Sequence, residues 1–335
     1  MAALLDTLDD GADAPLVILA FSRAPFATHG SVRVVCRRLN AIIASPAFRD
    51  WRVERGLAEH GLVAAGGVRD YEPTDACSIF FSGQWRLAAA LSFVRRSACS
   101  AIMEDEDGQP EMWVMGGVGG AVSEVATVEA YNPRTNTWRV CLPLSQRRQS
   151  AVAGVVGGLL VVAGGLGHDG VLTSVEAYTP TGWTPLPPLP HAVYEATACV
   201  VGGRLYVMGG RECNRLQVLE MTEENQFSWS VRADLPAERG LAASAAAVDG
   251  KLWLMGGSPT YTAGDSVFVY DIARDSWAAG PALPRPLALC RATVHDRQIY
   301  LFGHDGILRH GNAGWVAAEA GPVDSSGSFE SILLG

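Results

Sequence analysis

The sequence predicts a mainly β protein built from six repeat units of four short strands, preceded by a small helical segment. The first observation is a recurring glycine, usually paired with a second one, at intervals of roughly 45 to 50 residues. It falls at Gly66, Gly116, Gly164, Gly209, Gly256 and Gly303. The second observation is a tryptophan near the end of each unit, at Trp85, Trp138, Trp183, Trp229, Trp277 and Trp315. The third is a change to helical spacing of apolar residues ahead of residue 58.

Residues 149–183 show the unit most clearly. The apolar run 151–156 meets the turn pair Gly157-Gly158, and a second apolar run, 159–163, ends at the next glycine pair. A short alternating segment, 175–178, and Trp183 complete the unit. Short apolar runs bounded by turn residues are typical of strands, so four strands per unit are predicted.

The segment 1–57 has a different period. Apolar residues follow one helix face at i, i+3, i+4, i+7, i+10 and i+11, whereas neighbouring arginines fall off that face. The stripe consists of Val32, Val35, Cys36, Leu39, Ile42 and Ile43. Ser45-Pro46 is an N-cap followed by proline at the first helical position, and Leu16 and Leu19 mark an earlier helix. So small a unit buries little apolar surface alone, and a partner is therefore expected.

Composition limits the possible functions. A formal net charge of -9 argues against nucleic-acid or anionic-membrane partners, because both depend on clustered positive charge. The seven cysteines are scattered without a C-x-x-C pair, which is typical of reduced thiols in a cytoplasmic or nuclear protein. No signal peptide and no membrane span are expected.

Catalytic and metal-binding patterns are also missing from the sequence. The seven histidines form no H-x-H or H-x-x-x-H pair, and no G-x-S-x-G occurs. We therefore expect no metal, no cofactor and no catalytic residue. The acidic run 104–107 resembles a calcium loop, but the spacing to a terminal glutamate does not suit an EF-hand. A solvated hairpin tip is the favoured interpretation.

The repeat resembles the kelch family, whose units of about 50 residues each form one blade of a β-propeller. The likeness covers residues from about 60 to the end and includes Tyr131 with Trp138, Tyr178 with Trp183, and Tyr270 with Trp277. It implies a six-bladed kelch β-propeller over residues 58–335. The first unit lacks an inner strand, and residues 328–334 supply a spare one, so we expect the tail to close the ring.

In such a ring, one group of cationic and aromatic residues precedes each inner strand and should surround one mouth of the channel. The group comprises Arg95, Arg96, Arg147, Arg148, His191, Tyr194, Arg239 and Arg285. Two interpretations remain open. The arginines contact a bound target, which would then be acidic or phosphorylated, or they brace neighbouring blades by pairing with Glu129, Glu176 and Glu220.

Residues 32–48 are similar to the second half of an F-box. The matching residues are Val35, Cys36, Arg37, Arg38, Leu39, Ile42, Ile43, Ser45, Pro46 and Phe48. The first half departs from that pattern, because Leu8-Asp9-Asp10 lacks the usual proline. The resemblance implies that Leu16, Leu19, Val35, Leu39, Ile42 and Ile43 contact a Skp-type adaptor. The chain would then be the substrate-recognition subunit of an SCF-type cullin-based ubiquitin ligase.

Two other functions remain open. The N-terminal helices could cap a stand-alone kelch interaction scaffold that has no link to ubiquitin. The propeller could also be a kelch-type enzyme, although the ligand sets that such enzymes use are missing from the sequence.

Overall fold

The structure is a computed structural model that describes most of the chain from residue 60 onward. The described residues are 60–69, 72–81, 84–120, 124–211, 213–236, 241–258, 264–287, 290–295, 297–303, 306–311, 314–318 and 328–333. The predicted helical segment 1–57, with its six adaptor-contacting residues, lies outside them, as does Arg239. Those predictions therefore remain predictions.

The described residues form six four-stranded antiparallel sheets and two small two-stranded ribbons, and their regular secondary structure is entirely β. Blade 1 contains β1 (His60–Ala65), a small ribbon of β2 (Val68–Arg69) and β3 (Glu72–Pro73), β4 (Cys77–Phe81) and β5 (Gln84–Leu87). Blade 2 contains β6 (Cys99–Glu104), β7 (Pro110–Met115), β8 (Val128–Asn132) and β9 (Thr137–Cys141). Blade 3 contains β10 (Val152–Val156), β11 (Leu159–Ala163), the ribbon β12 (Leu166–Gly167) with β13 (Gly170–Val171), β14 (Val175–Thr179) and β15 (Gly182–Leu186).

The remaining blades repeat this order. Blade 4 contains β16 (Thr197–Val201), β17 (Arg204–Met208), β18 (Leu216–Met221) and β19 (Phe227–Arg232). Blade 5 contains β20 (Leu241–Val248), β21 (Lys251–Ser258), β22 (Val267–Asp271) and β23 (Ser276–Ala279). Blade 6 contains β24 (Arg291–His295), β25 (Gln298–Gly303), β26 (Gly306–Gly311) and β27 (Gly314–Ala318), and β28 (Ser328–Leu333) follows. The six units predicted from glycine and tryptophan spacing are thus six blades of a propeller.

The ring closes through the C-terminal strand. β28 pairs antiparallel with β1, with Leu62 opposite Ser331 and Ala65 opposite Ser328, and the blade 1 sheet has the order β28-β1-β4-β5. The tail therefore occupies the inner position that the first unit lacks. This pairing covers a strand edge that would otherwise be open to other chains.

The apolar core lies between neighbouring blades. Trp113 and Met115 of blade 2 pack in one buried cluster with Leu160 and Val162 of blade 3. Leu62 of blade 1 packs in the same way with Phe302 of blade 6, across the closure. Each blade is hydrophobic on both faces and is stable only between two others.

In blades 2 to 6 the repeated tryptophan joins each blade to the one before it. The indole N–H of Trp138, on the outer strand of blade 2, donates to the carbonyl of Ala89, which lies two residues after the outer strand of blade 1. The same bond recurs from Trp183 to Leu142, Trp229 to Pro187, Trp277 to Ala233 and Trp315 to Pro281, at 2.9 to 3.1 Å. The fixed phase of the tryptophan thus reflects a bond between blades.

Two blades add a second contact with the same loop residue. Asn136 accepts the Ala89 N–H at 2.8 Å and the Tyr131 hydroxyl at 3.0 Å. Asp275 accepts the Ala233 N–H at 2.9 Å and the Tyr270 hydroxyl at 2.6 Å. Blade 4 cannot make this second contact. Its tryptophan bonds to Pro187, which has no N–H to donate, and Phe227 occupies the position that Asn136 and Asp275 occupy in their blades.

Candidate functional site

The two ends of the propeller carry different loops because the strands of each blade are antiparallel. The loops from strand two to strand three, and from each outer strand to the next inner strand, share one end, which we call the mouth. The tight hairpins share the opposite end. All described members of the predicted cationic set lie on loops of the mouth.

Two of these arginines are buried. Arg95 is 1% exposed, and its guanidinium donates to Glu129 at 2.6 Å and to the carbonyls of Gly116 and Thr127. Burial lowers the pKa of Arg95, whereas the Glu129 carboxylate opposes that shift. The backbone carbonyl of Arg95 accepts the N–H of Gly67 in blade 1. Arg95 therefore joins blade 1 through its backbone to blade 2 through its side chain.

Arg148 repeats this arrangement one blade later. It is 1% exposed, pairs with Glu176 at 2.9 Å and donates to the carbonyls of Gly164 and Ser174. Its own carbonyl accepts the N–H of Gly117 in blade 2. We call this position, at Arg95 and Arg148, the inter-blade brace. As placed, these two guanidinium groups are enclosed by protein atoms and are not presented to a target, so the bracing interpretation describes them.

The brace position changes chemistry around the ring. The brace position is occupied by Val193 after blade 3 and by Leu287 after blade 5. The backbone carbonyl of each accepts the N–H of the second glycine of the pair in the preceding blade. Both are buried. Leu287 packs in an apolar cluster with Leu308. Leu308 occupies the position on the third strand of blade 6 that Glu129 and Glu176 occupy in blades 2 and 3. Ion pairs thus connect blades 1 to 2 and 2 to 3, and an apolar contact connects blades 5 and 6.

The third predicted partner, Glu220, does not brace a neighbouring blade. It pairs with Arg204 of the adjacent strand in its own blade at 2.5 Å. The equivalent of Glu129 and Glu176 is Gln217, which accepts the His191 N–H at 2.8 Å and donates to the His191 carbonyl at 3.1 Å. Glu220 lies three residues farther along a strand of period two and therefore projects from the opposite face.

The first glycine of a pair lies against the backbone of a residue at the brace position. Gly66 has φ +70, and a Cβ there would lie 2.7 Å from the carbonyl oxygen of Arg95. Gly164 has φ +65, and a Cβ would lie 2.7 Å from the carbonyl oxygen of Val193. Both the backbone conformation and the close approach require glycine. The close approach is thus to the loop that carries the brace residue.

Other members of the predicted set are exposed. Arg96 and Arg147 are exposed and form no ion pair with any described residue. His191 is exposed, and Tyr194 and Arg285 are partly exposed. Arg96 directly follows one brace residue and Arg147 directly precedes the other, so these two side chains occupy different positions of their loops.

Three mouth residues were missed by the sequence. Arg211 donates to the Tyr194 hydroxyl at 2.6 Å, and its guanidinium lies 5.8 Å from the centre of the Tyr194 ring. Its position immediately after the pair Gly209-Gly210 is the signal that could have placed it at the mouth. Phe93 and Val94, 43% and 39% exposed, precede Arg95 on the same loop. Exposed aromatic residues and arginines together are enriched in protein interfaces.

The inner strands of neighbouring blades meet beneath the mouth and line a small cavity. Ser150 donates its N–H to the Ser97 carbonyl, and Glu195 donates its N–H to the Ser150 carbonyl, at 2.8 and 3.1 Å. The three residues share a positive φ between 51 and 56, which turns each chain into its inner strand. Below them lies a cavity of about 120 Å³ lined by small residues with Glu195 and Arg291. Burial lowers the pKa of Arg291, and Cys290 and Glu195 oppose this shift.

The described residues contain no group of three or more His, Cys, Asp or Glu side chains that could hold a metal ion. In the acidic run, Asp105 accepts the N–H groups of Asp107 and Gln109, as expected for a hairpin tip. The same part of the chain contains no helix long and apolar enough to cross a membrane.

Comparisons with known proteins agree with the fold. The family model for the kelch motif matches residues 109–144, which span the last three strands of blade 2. The chain is 28% identical to mouse Kelch-like protein 35 over 204 residues, covering 58% of this chain and 33% of that protein. It is also 28% identical to an F-box/kelch-repeat protein of Arabidopsis thaliana over 202 residues, covering 58% of this chain and 47% of that protein.

A solved structure, that of YjhT, superposes with a TM-score of 0.61 at 14% sequence identity. It covers 77% of this chain and 93% of that one. At this identity the likeness concerns the fold alone. The chain therefore folds as a six-bladed propeller that carries a kelch motif, and it spans about a third of the mouse relative and about half of the plant relative.

Proposed function

We propose that this protein is a non-enzymatic substrate receptor whose propeller mouth holds a target protein. The observation that carries the proposal is the division of the mouth arginines into two groups. Arg95 and Arg148 are buried and fix the loops, whereas Arg96 and Arg147 project from those same loops into solvent. Rigid loops that present cationic and aromatic side chains lose little conformational entropy on binding. Such a surface suits an acidic or phosphorylated segment.

We further propose that the segment 1–57 docks on a Skp-type adaptor, which would link the target to an SCF-type cullin-based ubiquitin ligase in the cytoplasm or nucleus. Two facts support this assignment. Residues 32–48 resemble the second half of an F-box, and a plant relative that is 28% identical over 202 residues is an F-box/kelch-repeat protein. Ubiquitin transfer would then be carried out by partner proteins.

The adaptor contact is tested by mixing the purified full chain with a Skp-type adaptor and measuring complex formation by size-exclusion chromatography. We expect a complex that is lost when Leu39 and Ile42 are both replaced by aspartate, because carboxylates on the apolar stripe are costly to bury. The control is the variant with Arg33→Asp and Asn40→Asp, which lie off the stripe and should leave the complex intact.

A second candidate is a stand-alone kelch interaction scaffold, which the kelch motif supports equally well. It predicts no adaptor complex from the wild-type chain at any concentration tested. Equal loss of the complex in both pairs of variants would show that the adaptor does not contact the apolar stripe specifically.

A further inference from the structure

A groove lies at the hairpin end of the propeller, opposite the mouth, between blades 2 and 3. It has a volume of about 910 Å³, within the range of sites that hold a small ligand or a short peptide. One wall is the β6–β7 hairpin of blade 2, residues 104–107. The other wall belongs to blade 3 and includes Leu159, Tyr178 and Pro180. Its occupant would be independent of any target held at the mouth.

The two walls differ in charge. The hairpin of blade 2 has four consecutive carboxylates, and of these Glu104, Glu106 and Asp107 are exposed. Asp105 accepts hydrogen bonds within its own turn. Glu106 and Asp107 form no side-chain ion pair with any described residue. The wall from blade 3 is neutral and largely apolar. An acidic wall facing an apolar one favours a chain that has both cationic and apolar side chains.

The base of the groove already holds one guanidinium group of this chain. Arg139 donates to Glu111 at 2.6 Å and lies 4.9 Å from the centre of the Trp113 ring. Glu111 is almost fully buried, whereas Arg139 is half exposed. Stacking on an indole combined with a carboxylate contact is the usual way in which a protein binds a guanidinium.

Trp113 supplies a second and independent observation. Its side chain lines the groove and packs against Tyr178 with ring centres 4.7 Å apart, although it is only 1% exposed. Its indole N–H has no hydrogen-bond acceptor among the described residues. Five repeat tryptophans, in contrast, each donate to a carbonyl of the preceding blade. A buried donor without an acceptor is costly, and a bound backbone carbonyl would satisfy it.

We propose that this groove binds an extended segment of a partner protein in which arginine or lysine alternates with apolar residues. The cationic side chains face the Glu104–Asp107 hairpin, and the apolar side chains contact Leu159 and Tyr178. A backbone carbonyl of the segment accepts the Trp113 N–H. A metal ion is a poorer occupant, because no three carboxylates of the described residues converge there.

The test is the binding of a fluorescent peptide of alternating arginine and leucine to the full chain, measured by fluorescence anisotropy. We expect binding that weakens as salt rises from about 0.1 M to about 1 M, where the Debye length falls to about 3 Å. The same peptide with glutamate in place of arginine should not bind. Replacing Glu106 and Asp107 by lysine should lower the affinity about tenfold.

The matched control is the pair Glu223→Lys and Glu224→Lys, which makes the same change of charge at an exposed hairpin tip of blade 4. It should leave the affinity almost unchanged. Trp113→Phe keeps an aromatic ring, removes the N–H and should weaken binding several-fold. Equal losses at the two hairpins, or no binding by the wild-type chain at low salt, would overturn the proposal. A change of oligomeric state caused by the Glu106 and Asp107 substitutions would also overturn it, because a second copy of this chain would then be the occupant.

Discussion

Among single residues, the buried arginines at the brace have the clearest structural role. Arg148 and Glu176 are both nearly inaccessible, and Glu176 also accepts the N–H of Ser145 at 2.8 Å. Taking a charge pair out of water is costly, and the hydrogen bonds of the two terminal guanidinium nitrogens of Arg148 offset part of that cost, whereas its buried Nε–H has no acceptor among the described residues. Between blades 5 and 6 the same two positions are occupied by leucines, Leu287 and Leu308, which belong to one apolar cluster.

This contrast gives a prediction for the brace. Glu176→Leu alone should lower the free energy of unfolding by about 3–5 kcal/mol, because it leaves the Arg148 charge buried without its partner. The double variant Arg148→Leu and Glu176→Leu should lose less than the sum of the two single changes, as in the leucine pair of blades 5 and 6. Urea denaturation of the four proteins measures this coupling. Strictly additive losses would show that the two side chains act independently.

The sequence could predict the pairing but not the burial. The segment Val-Glu-Ala-Tyr occurs at 128–131 and again at 175–178, and in both cases it follows a loop with two consecutive arginines. That recurrence identifies Glu129 and Glu176 as partners. Which arginine of each pair turns inward depends on loop geometry: it is the first in Arg95-Arg96 and the second in Arg147-Arg148. In both cases, however, the buried arginine lies two residues before a Ser-Ala pair, 97–98 and 150–151, and this spacing is the signal that distinguishes the two arginines.

Among the structural elements, the hairpin between the two outer strands contacts the loop that leaves the preceding blade in blades 2 to 6. In blade 5, Asp275 and Trp277 hold the N–H and the carbonyl of Ala233. Blade 2 makes the same contacts with Asn136 and Trp138 to Ala89. The hydrogen bond from the Tyr270 hydroxyl and that from the Ala233 N–H lower the pKa of Asp275.

Blade 2, with asparagine at the same position, therefore predicts which substitution of Asp275 the contact tolerates. Asp275→Ala should lower the free energy of unfolding by about 1–3 kcal/mol, because it leaves a backbone N–H and a hydroxyl without an acceptor. Asp275→Asn should have little effect, since Asn136 makes the same contacts in blade 2. Thermal unfolding of the two variants tests this expectation, and equal destabilisation by both would contradict it.

The lowered pKa of Asp275 predicts a pH dependence with a definite sign. The folded state holds the Asp275 carboxylate more strongly than the unfolded state, so its contribution is present above the unfolded pKa of about 4. The contribution is lost as the pH falls through the lower folded pKa. Below about pH 4 the free energy of unfolding of the wild-type chain should therefore fall relative to that of Asp275→Asn. A difference independent of pH between about 2 and 7 would contradict this assignment.

At the scale of the whole molecule, one strand holds the ring closed. Six units follow from glycine and tryptophan spacing alone, and the missing inner strand of the first unit points to the tail as its replacement. The pairing of β28 with β1 places the tail there. Packing across this closure, such as that of Leu62 with Phe302, depends on residues far apart in sequence, so periodicity could not predict it.

A chain ending at Gly327 should therefore have an open edge at β1. We expect it to aggregate or to lose its single cooperative unfolding transition, because an unpaired strand edge invites pairing with other chains. Circular dichroism during denaturation and light scattering measure the two outcomes. An unchanged transition in a monomeric protein would show that β28 does not hold the ring together.

The receptor function proposed for the whole molecule requires two surfaces that act separately. Quantitative co-purification of the full chain from cells tests both surfaces at once. The wild-type chain should recover an adaptor, a cullin and at least one further protein that is released by salt. Replacing Leu39 and Ile42 by aspartate should remove the adaptor and the cullin and keep the further protein. Replacing Arg96 and Arg147 by glutamate should do the reverse and leave stability unchanged, because exposed arginines contribute little to folding. Recovery of the same partners by all three proteins would contradict the account.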